Sequence, residues 1–485
     1  MTTMRPRLAP ALAHSLLASM LLSSCRPAAP GAPSALVDAW SYDVTAAPRG
    51  EVLDVEAVFP LGTDPELGVL DGAERYVRSV AVVGAGLTTP IEPSEGRWHI
   101  PACARGCRLK YQFLLGDAAR EGDDRGFAEA FGDAVESPPS TWLLRPWRAA
   151  PSTPLRFRVR PAPGETFVTG VLPAVGSPGA HEARAANTMA LPYSAFGRLP
   201  TLRVGPVQVA FLPGRSPPVQ AVEAWVRAGV DAVERVYGTF PIHHALLLVR
   251  PVNGARVGFG STMGHSGASM DVAVGSDVTA ASLREDWVLI HEMVHIALPS
   301  LRAEHHWFEE GLATYVGALA RANAGLVGPE AVWREWIEMM PHGLPSEGDE
   351  GLDRSPTWGR TYWGGALFCL LADVEIRART ANRRALRDAL RAVVRAGGNI
   401  AASWPLARVV EVGDAATGVP VLRELHARFG MRPERVDLDA LWARLGVSLR
   451  RERVTFDDTA PWAAIRRALF EASPAMADTP QRDQP

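Results

Sequence analysis

The sequence of 485 residues lacks the marks of several large classes of protein. Of its 50 basic residues only Lys110 is a lysine, the arginines form no basic stripe, and the formal net charge is −3. Because nucleic acid attracts proteins with dense positive charge, this balance excludes a protein built mainly to bind it. No apolar run reaches the roughly 18 residues of a membrane-spanning helix, and no segment of the chain is repeated.

The composition that remains is that of a folded protein. Hydrophobic residues make up 47% of the chain and charged residues 21%, which is an ordinary globular balance. A chain of this length has enough apolar residues for two or three domains with cores of their own. We therefore expect a multidomain protein.

The N-terminus resembles the signal of a bacterial lipoprotein. Two arginines precede an apolar stretch at residues 8–22, and Leu22-Ser23-Ser24-Cys25 follows. The resemblance implies that residues 1–24 are a signal peptide and that a lipid on Cys25 anchors the mature chain to a membrane. Residues 25–40 are then a flexible tether, and the protein is extracytoplasmic, in the periplasm or at the outer membrane. A plain secretory signal is the alternative interpretation.

Three further cysteines follow in the chain. Cys103 and Cys107 are close enough in sequence for a local disulfide, which an oxidising compartment permits, and the sequence leaves open whether it forms. Cys369 lies in an apolar helical run, where we expect an unreactive core thiol.

The chain divides into stretches with different hydrophobic periodicity. Short β runs separated by turn residues fill residues 41–200, which predicts an N-terminal domain resembling a β-sandwich. Residues 201–400 have a helical period and a glycine-rich segment at residues 254–275, which predicts an α/β domain. Residues 401–485 predict a small helical region with a disordered tail. The expected fold class is therefore multidomain α+β.

The most informative motif is His291-Glu292-Met293-Val294-His295. Residues four apart on a helix lie on one face, so His291 and His295 are able to hold one metal ion together. Glu292 then lies beside the ion. This spacing is typical of zinc hydrolases, in which the glutamate acts as a general base.

The segment around this motif has the pattern of a buried helix. A capping-box pattern at Ser282 and Glu285 predicts its start, residues 287–298 are apolar apart from the motif, and Pro299 predicts its end. Buried imidazoles and carboxylates need a metal ion or hydrogen bonds, because unpaired polar groups are costly in an apolar core.

A catalytic zinc site needs three protein ligands and leaves its fourth position to water. Glu310, which we expect on a second helix, is our candidate for the third ligand. Glu309 is a rival, but neighbours on a helix point about 100° apart, so only one of these two carboxylates faces the metal. His305 and His306, in the connection between the helices, are further rivals. We predict one zinc ion per chain.

Two separated motifs resemble one family of zinc peptidases. The histidine motif with Glu310 is similar to that of the gluzincins, the thermolysin-like clan whose third zinc ligand is a glutamate. The run Thr361-Tyr362-Trp363-Gly364-Gly365 and the later Leu371-Ala372-Asp373-Val374-Glu375-Ile376-Arg377 are similar to the glycyl aminopeptidase family. The resemblance covers about residues 200–400 and implies a thermolysin-like catalytic domain.

The resemblance also implies a role for each site residue. His291, His295 and Glu310 bind zinc, Glu292 is the general base, and Tyr362 donates a hydrogen bond to the oxyanion. A packed aromatic side chain at the start of a helix is the alternative interpretation of Tyr362.

The sequence departs from that family where the substrate is recognised. Related aminopeptidases hold the free amine of the substrate with a glutamate in a glycine-rich edge strand, but here Gly264 stands where that carboxylate is expected. A glycine cannot neutralise an ammonium group, so aminopeptidase and endopeptidase action both remain open. The residues around Ser266 come near the esterase nucleophile elbow, but Ala268 replaces the final glycine of that motif.

Together these patterns predict a lipid-anchored zinc metallopeptidase that hydrolyses peptides or proteins in the bacterial envelope. The alternative is a catalytically inactive lipoprotein that keeps the peptidase fold as an envelope-binding scaffold. The presence of every residue that the mechanism needs favours the enzyme. The sequence leaves open the preferred peptide bond, the ligand of the N-terminal β domain and the oligomeric state.

Overall fold

The computed structural model describes residues 39–84, 88–122 and 126–471. The predicted signal peptide, Cys25, nearly all of the predicted tether and the predicted disordered tail lie outside these residues. Within them the chain is a mixed α+β protein with several β-sheets, as the sequence predicts. No helix in the described ranges is long and apolar enough to cross a membrane.

The part of the chain before Thr201 is built mainly from strands. Its strands and helices are β1 (Trp40–Ala46), β2 (Leu53–Leu61), β3 (Glu66–Gly68), β4 (Val77–Val83), β5 (Thr88–Pro90), β6 (Trp98–His99), β7 (Arg105–Phe113), α1 (Leu115–Glu121), β8 (Glu129–Phe131), β9 (Ala134–Glu136), α2 (Pro139–Trp142), β10 (Arg145–Pro146), β11 (Pro154–Arg160), β12 (Thr166–Thr169), β13 (Ala180–Arg184) and β14 (Ser194–Gly197).

Seven of these strands form one sheet in the order β13-β11-β1-β2-β7-β4-β5. Strand β2 alternates buried and more exposed residues, so every second side chain enters the core. Leu67 of β3 and Phe196 of β14 belong to the same core, and these strands lie in two smaller sheets. Cys103 and Cys107 are joined by a disulfide beside β7, a pairing that the sequence left open.

From Thr201 onward helices predominate. The elements are β15 (Thr201–Val204), β16 (Val207–Phe211), α3 (Val219–Tyr237), β17 (Ala245–Val252), β18 (Val257–Met263), β19 (Ser269–Gly275), α4 (Ala280–Glu285), α5 (Val288–His295), α6 (His306–Asn323), α7 (Pro329–Met339), α8 (Gly365–Thr380), α9 (Leu386–Arg395), α10 (Leu406–Thr417), α11 (Val421–Phe429), α12 (Leu438–Leu445), β20 (Val447–Arg450), β21 (Arg453–Phe456) and α13 (Ala463–Leu469). A π-helical turn, Gly359–Gly364, leads directly into α8.

This second part contains a five-stranded sheet in the order β15-β16-β17-β19-β18. Strand β18 lies at its edge and runs antiparallel to β19, so the glycine-rich segment at residues 254–275 contains a pair of strands. One buried apolar cluster includes Leu289 of α5 and Leu312 of α6 and continues to Leu469 of α13. The stretch after residue 400, predicted to be helical, contains α10 to α13 together with the hairpin β20-β21.

The predicted start of the histidine helix is wrong. Ser282 belongs to a separate short helix, α4, where its side chain and that of Thr279 form the capping box. Two non-helical residues, 286 and 287, separate α4 from α5. Asp286 accepts hydrogen bonds from the backbone N–H groups of Val288 at 3.0 Å and Leu289 at 3.1 Å. A carboxylate at this point satisfies N–H groups that have no partner inside the helix.

Candidate metal centre and catalytic cavity

Helix α5 presents the histidine motif on the side that faces α6 and the edge strand. Leu289 and Met293, on its other side, are fully buried and fix the helix in the core. The rings of His291 and His295 are one turn apart, with centroids separated by 4.9 Å and planes at 81°. The helix therefore holds both imidazoles in one place, as the spacing of the motif predicts.

Glu310 of α6 lies between the two imidazoles. Its Oε2 is 3.2 Å from Nε2 of His291 and 3.6 Å from Nε2 of His295, and the three ligand atoms lie within 4.8 Å of one another. Helix α6 approaches α5 closely at Gly317, where an added Cβ would be 3.7 Å from Cα of His291. The structure thus brings the three predicted ligands together.

The spacing of these atoms suits a tetrahedral zinc ion. Zinc bonds of about 2.0–2.2 Å at tetrahedral angles place neighbouring ligand atoms about 3.3–3.6 Å apart. The distances from Glu310 to His291 and His295, 3.2 and 3.6 Å, are close to that range. Two imidazole nitrogens and one carboxylate oxygen are also a donor set that zinc accepts, whereas calcium and magnesium favour oxygen ligands.

The charges in this cluster favour a cation. Burial disfavours a charged His295, but the hydrogen bond and the negative charge of Glu310 outweigh it and raise the pKa of His295 to about 9 before a metal binds. Burial disfavours ionisation of Glu310 as well, but His291 and His295 hold the pKa of its carboxyl well below the usual range. A divalent cation supplies the positive charge that this arrangement attracts.

The rivals for the third ligand face other partners. Oε1 of Glu309 accepts a hydrogen bond from the backbone N–H of Leu301 at 2.9 Å, and Oε2 lies 3.2 Å from Nδ1 of His306. His306 is 57% exposed, and its Nε2 lies 3.5 Å from Oε1 of Glu310. His306 therefore contacts Glu310 but is not one of the three residues whose ligand atoms converge.

His305, the other rival, belongs to a separate cluster. Its Nδ1 lies 3.2 Å from Oδ1 of Asp353, and Nε2 of His426 lies 3.1 Å from Oδ2 of the same carboxylate. Trp307 donates its indole N–H to Asp353 at 2.8 Å. This cluster connects the start of α6 to α11 and to the loop that precedes the π-helical turn.

Glu292 lies against the edge strand. Thr262 of β18 donates its hydroxyl to Oε2 of Glu292 at 2.6 Å, and a Cβ added at Gly260 would lie 2.9 Å from Oε1. The glycine lets the strand approach the carboxylate, and the threonine fixes its orientation. Thr262 is a site residue that no local sequence pattern indicates, because its contact with Glu292 depends on how closely β18 lies against α5.

Tyr362 lies in the π-helical turn before α8. Its ring lies 6.4 Å from that of His291 at an angle of 22°, and burial together with the negative charges of Glu310 and Glu292 raises its pKa to about 12. Helix α8, into which the turn leads, begins close to α6 because two glycines meet there: a Cβ at Gly311 would lie 2.3 Å from the backbone of Gly365, the first residue of α8. The predicted oxyanion donor is therefore placed beside the ligands.

A cavity of about 540 Å³ opens over these residues, and β18 forms one wall. Gly264 supplies no carboxylate at the position where the resemblance to aminopeptidases implies one, and the space beside it is filled. A Cβ at Gly264 would lie 2.3 Å from Cγ1 of Ile400, and the backbone N–H of His265 donates to the carbonyl of Ile400 at 2.9 Å. The segment around Ile400 thus covers this end of the strand.

Ser266 has a structural role. Its Oγ accepts hydrogen bonds from Nδ2 of Asn187 at 2.9 Å and from the backbone N–H of Arg184 at 3.2 Å. The chain continues from Ser266 into strand β19 rather than into a helix. The strand-turn-helix geometry of a nucleophile elbow is therefore absent from this part of the described structure.

No protein-family model matches the sequence, and no curated protein matches it. Solved structures do match the fold. An aminopeptidase N family protein from Idiomarina loihiensis has a TM-score of 0.64 at 15% identity, over 85% of this chain and 79% of that one. A mutant of a two-domain M1 zinc metallopeptidase bound to L-arginine has a TM-score of 0.50 at 16% identity, over 82% and 94%.

An M1 zinc metallopeptidase from Deinococcus radiodurans has a TM-score of 0.49 at 16% identity, over 82% of this chain and 93% of that one. Identities this low show similarity of fold alone. The fold of this chain is thus similar to that of M1 zinc metallopeptidases, which supports the gluzincin fold that the sequence motifs predict.

Proposed function

We propose that the protein is a zinc-dependent metallopeptidase that hydrolyses peptide bonds. The proposal depends on one observation: His291, His295 and Glu310 converge within 4.8 Å of one another. They do so at the wall of an open cavity. A structural zinc site closes its fourth position with a further protein ligand, whereas a catalytic site leaves that position to water and substrate.

His291, His295 and Glu310 would hold a zinc ion, which would supply a Lewis acid for the attacking water and for the substrate carbonyl. Glu292 accepts the proton of the attacking water and passes it to the leaving amine. The hydrogen bond of 2.6 Å from Thr262 holds the Glu292 carboxylate in place for both transfers.

Tyr362 stabilises the negative charge that develops on the carbonyl oxygen. Because burial and the carboxylates nearby raise its pKa to about 12, Tyr362 keeps its proton at neutral pH and remains a donor. A hydrogen bond that forms only as the oxyanion develops lowers the barrier to hydrolysis rather than strengthening substrate binding.

The test is hydrolysis of a peptide library by the purified full chain. We expect cleavage in the presence of zinc, loss of cleavage with a chelator and recovery when zinc is restored. Glu292→Gln should lower kcat by about 10²–10⁴-fold with zinc content and melting temperature unchanged, whereas Glu304→Gln, an exposed acid in the same region, should have no effect. Zinc bound without any turnover would favour the scaffold lipoprotein instead.

We also propose that the enzyme works outside the cytoplasm, anchored to a membrane of the bacterial envelope through a lipid on Cys25. The lipoprotein-like N-terminal pattern supports this, and the disulfide between Cys103 and Cys107 suits an oxidising compartment. Metabolic labelling with a fatty acid analogue should mark the wild-type chain and not Cys25→Ser. Equal labelling of both chains, or labelling of neither, would contradict the anchor.

A further inference from the structure

A second cavity, which we call the side pocket, opens beside the metal centre. It has a volume of about 350 Å³ and shares Trp287, His291 and Tyr362 with the main cavity. It extends away from the ligands between α6, α7 and the π-helical turn. Any chain that crosses the metal centre therefore passes the mouth of this pocket.

The wall of the side pocket formed by α6 is lined by small residues. Ala313, Gly317 and Ala318 of this helix are among the lining residues, and their small side chains leave space in the pocket. Trp287 and Trp358 also line the pocket and are 56% and 57% exposed. Large exposed aromatic side chains around a cavity mark a surface that binds a ligand.

The polar end of the side pocket carries two charged residues, Glu335 of α7 and Arg321 of α6. Glu335 is exposed, and it has neither a hydrogen bond nor an ion pair within the described ranges. Its surroundings nevertheless remove enough water to raise its pKa, although Arg321 acts in the opposite direction. The pocket is thus lined by a carboxylate that no described residue pairs with through a hydrogen bond or an ion pair.

Arg321 has acidic neighbours. Its Nη2 donates to the carbonyl oxygen of Glu285 at the end of α4, at 2.9 Å, and its buried Nε has no hydrogen-bond partner within the described ranges. Burial disfavours the charge of Arg321, whereas Glu335 and Asp286 favour it. The carboxylate of Asp286 is committed to the start of α5 and to the indole N–H of Trp225. Asp286 and Glu335 together carry two negative charges against the one positive charge of Arg321, and Glu335 itself makes neither a hydrogen bond nor an ion pair within the described ranges.

We propose that the side pocket binds an arginine or lysine side chain of the peptide substrate, next to the bond that is cleaved, and that Glu335 is its ion-pair partner. The aliphatic stem of such a side chain packs along the small residues of α6, and its charged end reaches Glu335. Trp287 and Trp358 add apolar contact with the stem. This inference rests on the proposed peptidase function and names the substrate class that the site selects.

The first test profiles cleavage of a peptide library. We expect arginine and lysine to be enriched about tenfold over glutamine at one position beside the cleaved bond, as expected for one partly desolvated ion pair. Glu335→Gln should remove that preference while peptides with glutamine there are cleaved as before, and Glu335→Lys should shift it toward acidic residues. Glu338→Gln, on the same helix and exposed, is the matched control.

The second test measures binding without turnover. In the zinc-loaded Glu292→Gln chain, calorimetry should show that an arginine peptide binds about tenfold more tightly than the same peptide with citrulline, which is neutral but similar in shape. Adding Glu335→Gln should abolish the difference, and high salt should reduce it.

The two tests separate the two proposals. If no peptide is cleaved but the difference between arginine and citrulline depends on Glu335, the peptidase function fails, and binding of a basic side chain at Glu335 is confirmed without it. If peptides are cleaved with no basic preference, or if acidic residues are preferred by the wild-type chain, the side-pocket inference is overturned. An unchanged melting temperature for each variant excludes misfolding as the cause.

Discussion

Thr262 donates a hydrogen bond of 2.6 Å to the carboxylate of Glu292, and this bond joins the edge strand β18 to the helix that carries both histidines. The same hydroxyl lies 3.2 Å from the backbone carbonyl of Glu292. The orientation of the proposed general base is therefore set by the strand as well as by its own helix. Residues that orient a catalytic group without reacting are often as necessary as the group itself.

Removing this hydroxyl should slow the reaction without removing zinc. Thr262→Val keeps the shape of the side chain but leaves the Glu292 carboxylate without its donor, so we expect kcat to fall about tenfold with little change in KM. Thr262→Ser, which keeps the hydroxyl, should recover most of the rate. Loss of zinc in the valine variant, or a rate equal to that of wild type, would contradict a positioning role.

The sequence predicted the parts of the site that depend on local geometry. Helical spacing alone brings His291 and His295 onto one face, and the structure shows them there. Glu310 is the candidate because a carboxylate from a second helix completes the ligand set, and the resemblance to gluzincins implies the same role. The sequence does not predict that Asp286 caps α5 in place of the predicted capping box, because the hydrophobic pattern does not show where one helix ends and the next begins.

Contacts between distant segments could not be predicted in this way. The Thr262–Glu292 bond depends on the distance between β18 and α5, and the filling of the space beside Gly264 depends on a segment more than a hundred residues later. Both follow from tertiary packing, which overrides local preference. For the same reason, turn residues and alternation predicted most strands of the first sheet, but they could not give the order of those strands.

Measurements of zinc content should show that Glu310, and not Glu309, is the third zinc ligand. We expect one equivalent of zinc per chain, and we expect Glu310→Gln to weaken zinc binding by more than about 100-fold, because it removes a charged ligand. Glu309→Gln should retain zinc, since Glu309 bonds to Leu301 and His306. Native mass spectrometry distinguishes these outcomes. A second equivalent that is lost in His426→Ala would instead assign an ion to the cluster of His305, Asp353 and His426.

Tyr362→Phe should lower kcat by about 10²–10³-fold, the usual effect of removing one oxyanion donor, and leave KM nearly unchanged. The ring centroids of Tyr362 and His291 are 6.4 Å apart, and a phenyl ring at position 362 keeps this contact. Zinc binding and stability should therefore not change. Steady-state kinetics on one peptide provide the measurement. An equal rise in KM with constant kcat would show that Tyr362 binds the substrate rather than the oxyanion.

Blocking the amino terminus of a peptide should not prevent its cleavage. The space beside Gly264 is filled by Ile400, so a carboxylate at this end of the strand is not available to hold a free amine. We expect kcat/KM for an acetylated peptide within about threefold of that for the free peptide, because no ion pair is lost. A fall of 100-fold or more would show that another acid, such as Glu309 on the cavity wall, recognises the amine.

Asp353 should make stability depend on pH in a defined direction. Burial disfavours its charge, but hydrogen bonds from His426 and Trp307 and the positive field of His305 outweigh burial and lower its pKa. A carboxyl group whose pKa is lower in the folded state stabilises the fold above its unfolded pKa of about 3.9, and this contribution disappears as the pH falls through the folded value.

Asp353→Asn should therefore reduce the free energy of unfolding by about 1–3 kcal/mol at pH 7, and the difference from wild type should shrink below about pH 4. Urea unfolding of both chains at several pH values gives the measurement. Asp231→Asn, an exposed acid on α3, should show no such trend. A penalty for Asp353→Asn that grows as the pH falls would mean that the carboxylate is destabilised by its surroundings, and the cluster would then not serve to hold α6, α11 and the loop together.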